Sequence, residues 1–144
     1  MTSSHAIVFD QSRHPLVVIR LGSTYTSAQF DQALAYLTEA VKKGPFGLVV
    51  DMRQAQMPNA AQRRSFIAMY ERNDYLTRSN FLALGAVGDS ILVGRVITAL
   101  NWLRSAPHPV QTFRTLDAAE AWVLATLPEP LRQRVPPARA RRES

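Results

Sequence analysis

Residues 47–64 read GLVVDMRQAQMPNAAQRR. Gly47–Met52 is a short, nearly continuous apolar run, the pattern of a central strand covered on both faces. Gln54–Pro58 follows as a loop. Asn59 then stands where a helix N-cap belongs, and Gln62 three residues on completes a capping-box pattern. Strand, loop and capped helix in immediate succession make one unit of an α/β fold. The helix so begun reads to about Leu76, with Phe66, Met69, Tyr70 and Leu76 on its inner face.

The flanking sequence repeats this grammar. Ala6–Asp10 is a short β-rich run, Gln11–His14 is a polar connection, and Pro15–Leu21 is a second strand that Pro15 can open. These two runs predict a hairpin. Thr26 and Gln29 form a second capping-box pattern before a helix over about Ser27–Lys42. Its apolar face carries Phe30, Ala33, Leu34, Leu37 and Val41. Lys42, Lys43, Gly44 and Pro45 end it, with cations at the C-terminus and then the two breakers. Downstream, Asn80–Val87 is a fourth strand, and Gly88-Asp89 leads into a helix over about Ser90–Arg104. Val110–Arg114 is a fifth strand. Asp117 with Glu120 is expected to cap a last helix, Ala118–Leu127, with Leu116 in the staple position. The order is β-β-α-β-α-β-α-β-α. It predicts an α/β fold with a mostly parallel five-stranded sheet, right-handed crossovers and one antiparallel strand.

Composition bounds the function classes. The chain has 144 residues, the size of one domain, with 47% hydrophobic and 19% charged residues. It has no cysteine, which excludes disulfides, thiolate zinc sites and cysteine nucleophiles. Met1–His5 is polar and resembles no signal peptide, and no apolar stretch approaches the roughly 20 residues that span a bilayer. A cytoplasmic location is the expectation. The net charge of +6 is unevenly placed: residues 128–144 hold five Arg and two Glu, so half of it sits in this Pro- and Arg-rich segment. The expected division is therefore an α/β domain over 1–127 and a poorly ordered tail over 128–144. Its plain reading is a solubilising end. The sharper one is contact with nucleic acid or an acidic membrane surface through Arg139, Arg141 and Arg142.

Three segments carry a resemblance: the strand-loop-helix of 47–64, GDSILVGRVITALNWL at 88–103, and FRTLDAAEAW at 113–122. Together with the element order, they resemble the STAS or SpoIIAA-like family, including STAS/SEC14-like bacterial proteins, over residues 5–127. The resemblance implies a SpoIIAA-like fold and a module that binds a protein partner. In the anti-sigma-factor antagonists of that family, the turn after the central strand carries a phosphorylatable serine. Here that motif falls on Asn59, Ala60, Ala61 and Gln62, and the serine is missing. Ser65, the nearest hydroxyl downstream, lies a turn inside the helix. The phosphorylation switch does not carry over, whereas use of the surface for docking does.

Four groups of residues are candidates for function. Gln56, Met57, Pro58 and Asn59, with Arg63 and Arg64, surround a helix N-terminus. Such a terminus favours anions, and the arginines could hold a phosphate or carboxylate. A capped helix with solvated arginines is the plain alternative, and partner docking the sharper one. On the helix after strand four, Leu92, Val93, Val96, Leu100 and Leu103 form an inner face. Ile91 and Trp102 fall outside it, flanking Arg95. Ile91, Arg95 and Trp102 are thus an expected oligomer or partner interface, against extra packing within the chain. Asp51 and Asp89 sit where open α/β sheets bind ligands, but a loop-fixing role for Asp51 and a cap for Asp89 explain them more simply. His5, His14 and His108 lie in terminal or loop segments without metal-ligand spacing. No P-loop, G-x-S-x-G or G-x-G-x-x-G occurs.

The sequence thus predicts a non-enzymatic regulatory or scaffold module that binds a protein partner and self-associates, with no cofactor, no metal and no transmembrane segment. A carrier of an apolar or lipid ligand is the alternative, and it requires a closed cavity of roughly 300 Å³ or more. Nucleic-acid binding through the tail is the least supported of the binding readings. Tyr70 and Tyr75 near Arg72 read as helical aromatics rather than a stacking platform.

Overall fold

The computed structural model describes residues 6–89, 91 and 109–137. Two short runs rich in β-branched and apolar residues set up the N-terminal hairpin. β1 (Ile7–Arg13) runs antiparallel to β2 (Leu16–Leu21), with Ile7 opposite Leu21 and Arg13 opposite Leu16. β1 extends three residues beyond the apolar run, because an edge strand can carry the polar Gln11, Ser12 and Arg13. A register irregularity between Asp10 and Arg13 absorbs the change, and only His14 and Pro15 remain as the connection.

The other strands are β3 (Phe46–Asp51), β4 (Phe81–Val87) and β5 (Val110–Phe113). They follow β2 in sequential order, and every pair from β2 to β5 is parallel. The expected five-stranded sheet with one antiparallel strand is therefore the observed one.

Sequential order places the described crossover helices on one face. α1 (Ser27–Lys43), α2 (Ala60–Arg72) and α3 (Asp74–Asn80) pack there on Val17, Ile19, Leu48, Leu84 and Ala86. Thr26 and Gln29 form the expected capping box of α1. Gly44 ends it at φ 146° and ψ −173°, a region open essentially to glycine. The opposite face holds α4 (Leu116–Thr126), which lays Leu116, Ala119 and Val123 on Leu16, Val49, Ala83 and Val87. Its approach is close enough that a Cβ on Gly47 would collide with Val123 Cγ1, and one on Gly85 would lie 3.2 Å from Val123 Cγ2.

Two helix boundaries differ from expectation. The helix begun at Asn59 does not run unbroken to Leu76. Asn73 interrupts it, with its Nδ2 donating to Met69 O at 2.9 Å. An Asn side chain that competes for a backbone carbonyl breaks the ladder, and α3 restarts at Asp74. The last helix is capped by Thr115, whose Oγ1 accepts from Ala118 N at 3.2 Å, not by Asp117. Glu120 turns inward instead, and Arg13 Nη1 donates to its Oε1 at 3.0 Å. Beyond Leu127 a short α5 (Glu129–Arg132) leads to Val135, which packs against the α4 core, and to Pro136, whose carbonyl accepts from Arg13 Nε at 3.1 Å.

Candidate functional site

Parallel strands bring their carboxyl ends to one edge. The register aligns Arg20 with Asp51, Asp51 with Val87 and Val87 with Phe113, one row across the sheet. The loops that leave this row are Gly22–Thr26, Met52–Asn59, Gly88-Asp89 and Arg114-Thr115. This is the edge at which open α/β sheets bind their ligands.

The loop from β3 to α2 is tied at both ends. Gln56 N donates to Gly22 O at 2.8 Å, Tyr25 N donates to Gln56 Oε1 at 3.1 Å, and Tyr25 Oη donates to Gln56 O at 2.6 Å. Burial pushes the Tyr25 phenol up to about 12, so it remains a donor through the neutral range. At the other end Asn59 and Gln62 form the capping box read from the sequence, with Gln62 N donating to Asn59 Oδ1 at 2.8 Å and Asn59 N to Gln62 Oε1 at 2.9 Å. Arg63 Nη1 reaches back to Pro58 O at 2.7 Å. Met57, Pro58 and Arg63 are half-buried, and Asn59 and Arg64 are exposed.

The six predicted loop residues are thus brought together around a capped helix N-terminus. The helix terminus has its own side-chain cap, Arg63 folds back on the loop, and Arg64 projects from the helix. Gln56 serves as the clamp between two loops, a role that its sequence neighbourhood did not signal. The partner of that clamp, Tyr25, lies 31 residues away and carried no sequence signal at all.

Asp51 is buried and fixes its own loop, as the simpler reading had it. Its Oδ1 accepts from Arg53 N at 3.1 Å and Arg53 Nε at 2.9 Å, its Oδ2 from Arg53 Nη2 at 2.7 Å, and Arg20 Nε lies 3.8 Å away. Burial alone would raise its pKa. The hydrogen bonds from Arg53 and the charges of Arg53 and Arg20 outweigh that and hold the carboxyl below its ordinary value. Asp89 Oδ1 accepts from Ile91 N at 2.8 Å, and the Ile91 side chain is 67% exposed. The predicted interface residues Arg95 and Trp102, and the tail residues Arg139, Arg141 and Arg142, lie outside the described residues. Tyr70 belongs to the core, whereas Tyr75 is exposed.

Two recesses open along this side of the fold. A polar one of about 330 Å³ is lined by Arg53, Gly88, Asp89 and Arg114. The other is an apolar cavity of about 100 Å³ between the sheet, α1 and the first turns of α2. Arg63 is the one charged residue among its described lining. Its volume is a third of what the lipid-carrier reading requires. Among the described residues, no group of three His, Asp or Glu side chains could hold a metal, and no helix is long and apolar enough to cross a membrane. The buried carboxylates Asp51 and Glu120 are both paired with arginine.

No family model and no curated protein matches the chain. Among solved structures, it is similar to an uncharacterised protein of the DUF3478 family with a SpoIIAA-like fold from Shewanella loihica PV-4. The two are 17% identical, the match covers 85% of this chain and 98% of the other, and the TM-score is 0.60. The fold of this chain is SpoIIAA-like, as the order of its elements implied.

Proposed function

We propose that this SpoIIAA-like domain is a non-enzymatic regulatory or scaffold module that docks a protein partner on the carboxyl edge of its sheet. The docking surface is formed by Gln56, Met57, Pro58, Asn59, Arg63 and Arg64. The observation that carries the reading is the double anchoring of this loop, by Tyr25 on one side and by the Asn59–Gln62 box on the other. A loop held in one conformation binds without the ordering cost that a mobile one incurs. Its chemistry suits recognition: Met57 and Pro58 offer apolar surface beside two arginines. Serine is absent from the turn where the antagonists of this fold are phosphorylated, so regulation here works through occupancy of the surface.

The test is a photo-crosslinking residue placed at Arg64, with the exposed Glu39 on α1 as the control site. A discrete heterologous adduct from position 64, lost when Met57 is replaced by Asp and absent from position 39, is the expected result. Equal labelling from both positions would sink the proposal.

Self-association is a second part of the reading, favoured by the exposure of Ile91. Its surface would comprise Ile91, Arg95 and Trp102. Light scattering on a sizing column should give a salt-independent oligomer that Trp102→Glu dissociates. A wild-type monomer rejects this part and leaves the loop proposal standing.

A further inference from the structure

Among the described residues, the helical layer covers the central strand except near its carboxyl end. Val50, the penultimate residue of β3, is half-buried, whereas Phe46–Val49 before it are buried, and the strands on both sides of it are paired. Leu34 on α1 and Phe66 on α2 are half-buried too, and all three line the apolar cavity. Deeper lining residues such as Leu37 and Leu48 are only 1% exposed. Among the described residues, the cavity therefore has a floor closed by the core and a half-buried rim. Half-buried Pro58 and Arg63, which belong to the proposed docking loop, stand among the lining residues.

Volume selects the occupant. An engineered cavity of about 150 Å³ admits benzene, or roughly 25 Å³ per carbon. At that rate about 100 Å³ holds about four carbons, the isobutyl group of a leucine. An acyl chain needs several times more. Charge selects what lies beside it. The Arg63 guanidinium has five N–H donors and directs Nη1 to Pro58 O, and the exposed Arg64 follows it on α2. Interfaces concentrate their affinity in this kind of element, a side chain seated in a preformed pocket within a polar rim.

We infer that the partner inserts one aliphatic side chain of leucine size into the cavity between Val50, Leu34 and Phe66, with a neighbouring carboxylate paired to Arg63 and Arg64. This rests on the docking reading above and adds the chemistry of what docks.

The experiment selects peptides from a random display library on the full chain. It then measures the enriched peptides against wild type, Ala33→Leu and Arg64→Glu. Ala33 lines the cavity, and leucine there adds three carbons to it. Methyl NMR of the wild-type chain follows Val50 and Leu34 directly, so the test survives if Ala33→Leu does not fold. Expected are peptides with Leu, Ile or Met beside Asp or Glu, methyl shifts at Val50 and Leu34, and at least a tenfold loss of affinity in each variant. Peptides that depend on Arg64 but ignore Ala33→Leu and leave the methyls unmoved would overturn the anchor and keep the docking edge. No enrichment, or binding indifferent to both substitutions, removes the docking reading with it. Dodecanoate shifting the same methyls more strongly than the selected peptides would make the occupant a lipid and overturn the inference.

Discussion

Replacing Tyr25 by Phe isolates the contact that shapes the candidate edge. The ring would keep its place: it is 7% exposed and stacks on Phe30 with centroids 6.1 Å apart. Only the hydroxyl is lost, together with its 2.6 Å bond to Gln56 O. A buried acceptor left without its donor costs about 1–3 kcal/mol. For a domain of this size that is a fall in Tm of roughly 3–10 °C. The loss should be local as well as global. Gln56 N–H, bonded to Gly22 O, should exchange roughly tenfold faster, since 1.4 kcal/mol is a factor of ten in an opening equilibrium. Alkaline pH gives an independent reading. The phenol titrates near 10.0 in the unfolded chain and at about 12 in the folded one. Its contribution is thus complete below pH 10 and is lost as pH rises toward 12. Tyr70, pushed up to about 12 chiefly by burial, behaves alike, so Tyr25→Phe should remove about half of the tyrosine-linked alkaline loss. Tyr36→Phe, at a side chain 45% exposed, is the control and should stay within about 0.5 kcal/mol. Urea melts and hydrogen exchange measure these effects. A Tyr25→Phe protein as stable as wild type, with unchanged exchange at Gln56, would refute the anchored loop.

Gly47→Ala should cost about 1–3 kcal/mol by overpacking against Val123, and Val123→Ala should relieve most of that. A double-mutant cycle showing simple additivity would mean that α4 does not sit on Gly47. Asp51→Asn should cost about 1–3 kcal/mol at neutral pH, at the lower end because Arg53 is 46% exposed and solvent screens the pair. The wild-type contribution is present above the ordinary carboxyl value of 3.8 and is lost as pH falls through the lower folded-state value, so the difference between the two proteins should shrink in acid. His14 is held below its ordinary 6.5 by burial and by the charges of Lys43 and Arg134, and its Nε2 is buried without a hydrogen-bond partner among the described residues. As pH falls below 6.5 the unfolded chain takes up a proton that the folded one refuses, so stability drops as pH falls through 6.5 toward the lower folded-state value. His14→Gln should flatten that slope, and an unchanged slope in chemical denaturation would reject the assignment.

Local signals in the sequence determined much of this protein. The apolar run at Gly47–Met52, the capping boxes at Thr26 and Asn59 and the breakers at Gly44-Pro45 are interactions between residues a few positions apart, and the structure keeps each of them. Element order then implied a parallel sheet, because βα units joined by right-handed crossovers leave few other arrangements. Where two local signals competed, the sequence reading could choose wrongly. Thr115 and Asp117 both suit a cap, and only the inward turn of Glu120 toward Arg13, 107 residues away, shows why the helix starts at the earlier one. The interruption at Asn73 was hidden because a helical pattern of apolar residues continues across it. Tertiary structure alone decided how the candidate site is held. The clamp of Tyr25 on Gln56 joins two loops, and the row of Arg20, Asp51, Val87 and Phe113 joins four strands. Periodicity reports which side of an element faces the core, but not how closely a second layer settles on it. Whether a helix seals a central strand or leaves room for one more side chain is settled by packing between layers, to which no short stretch of sequence contributes more than one wall.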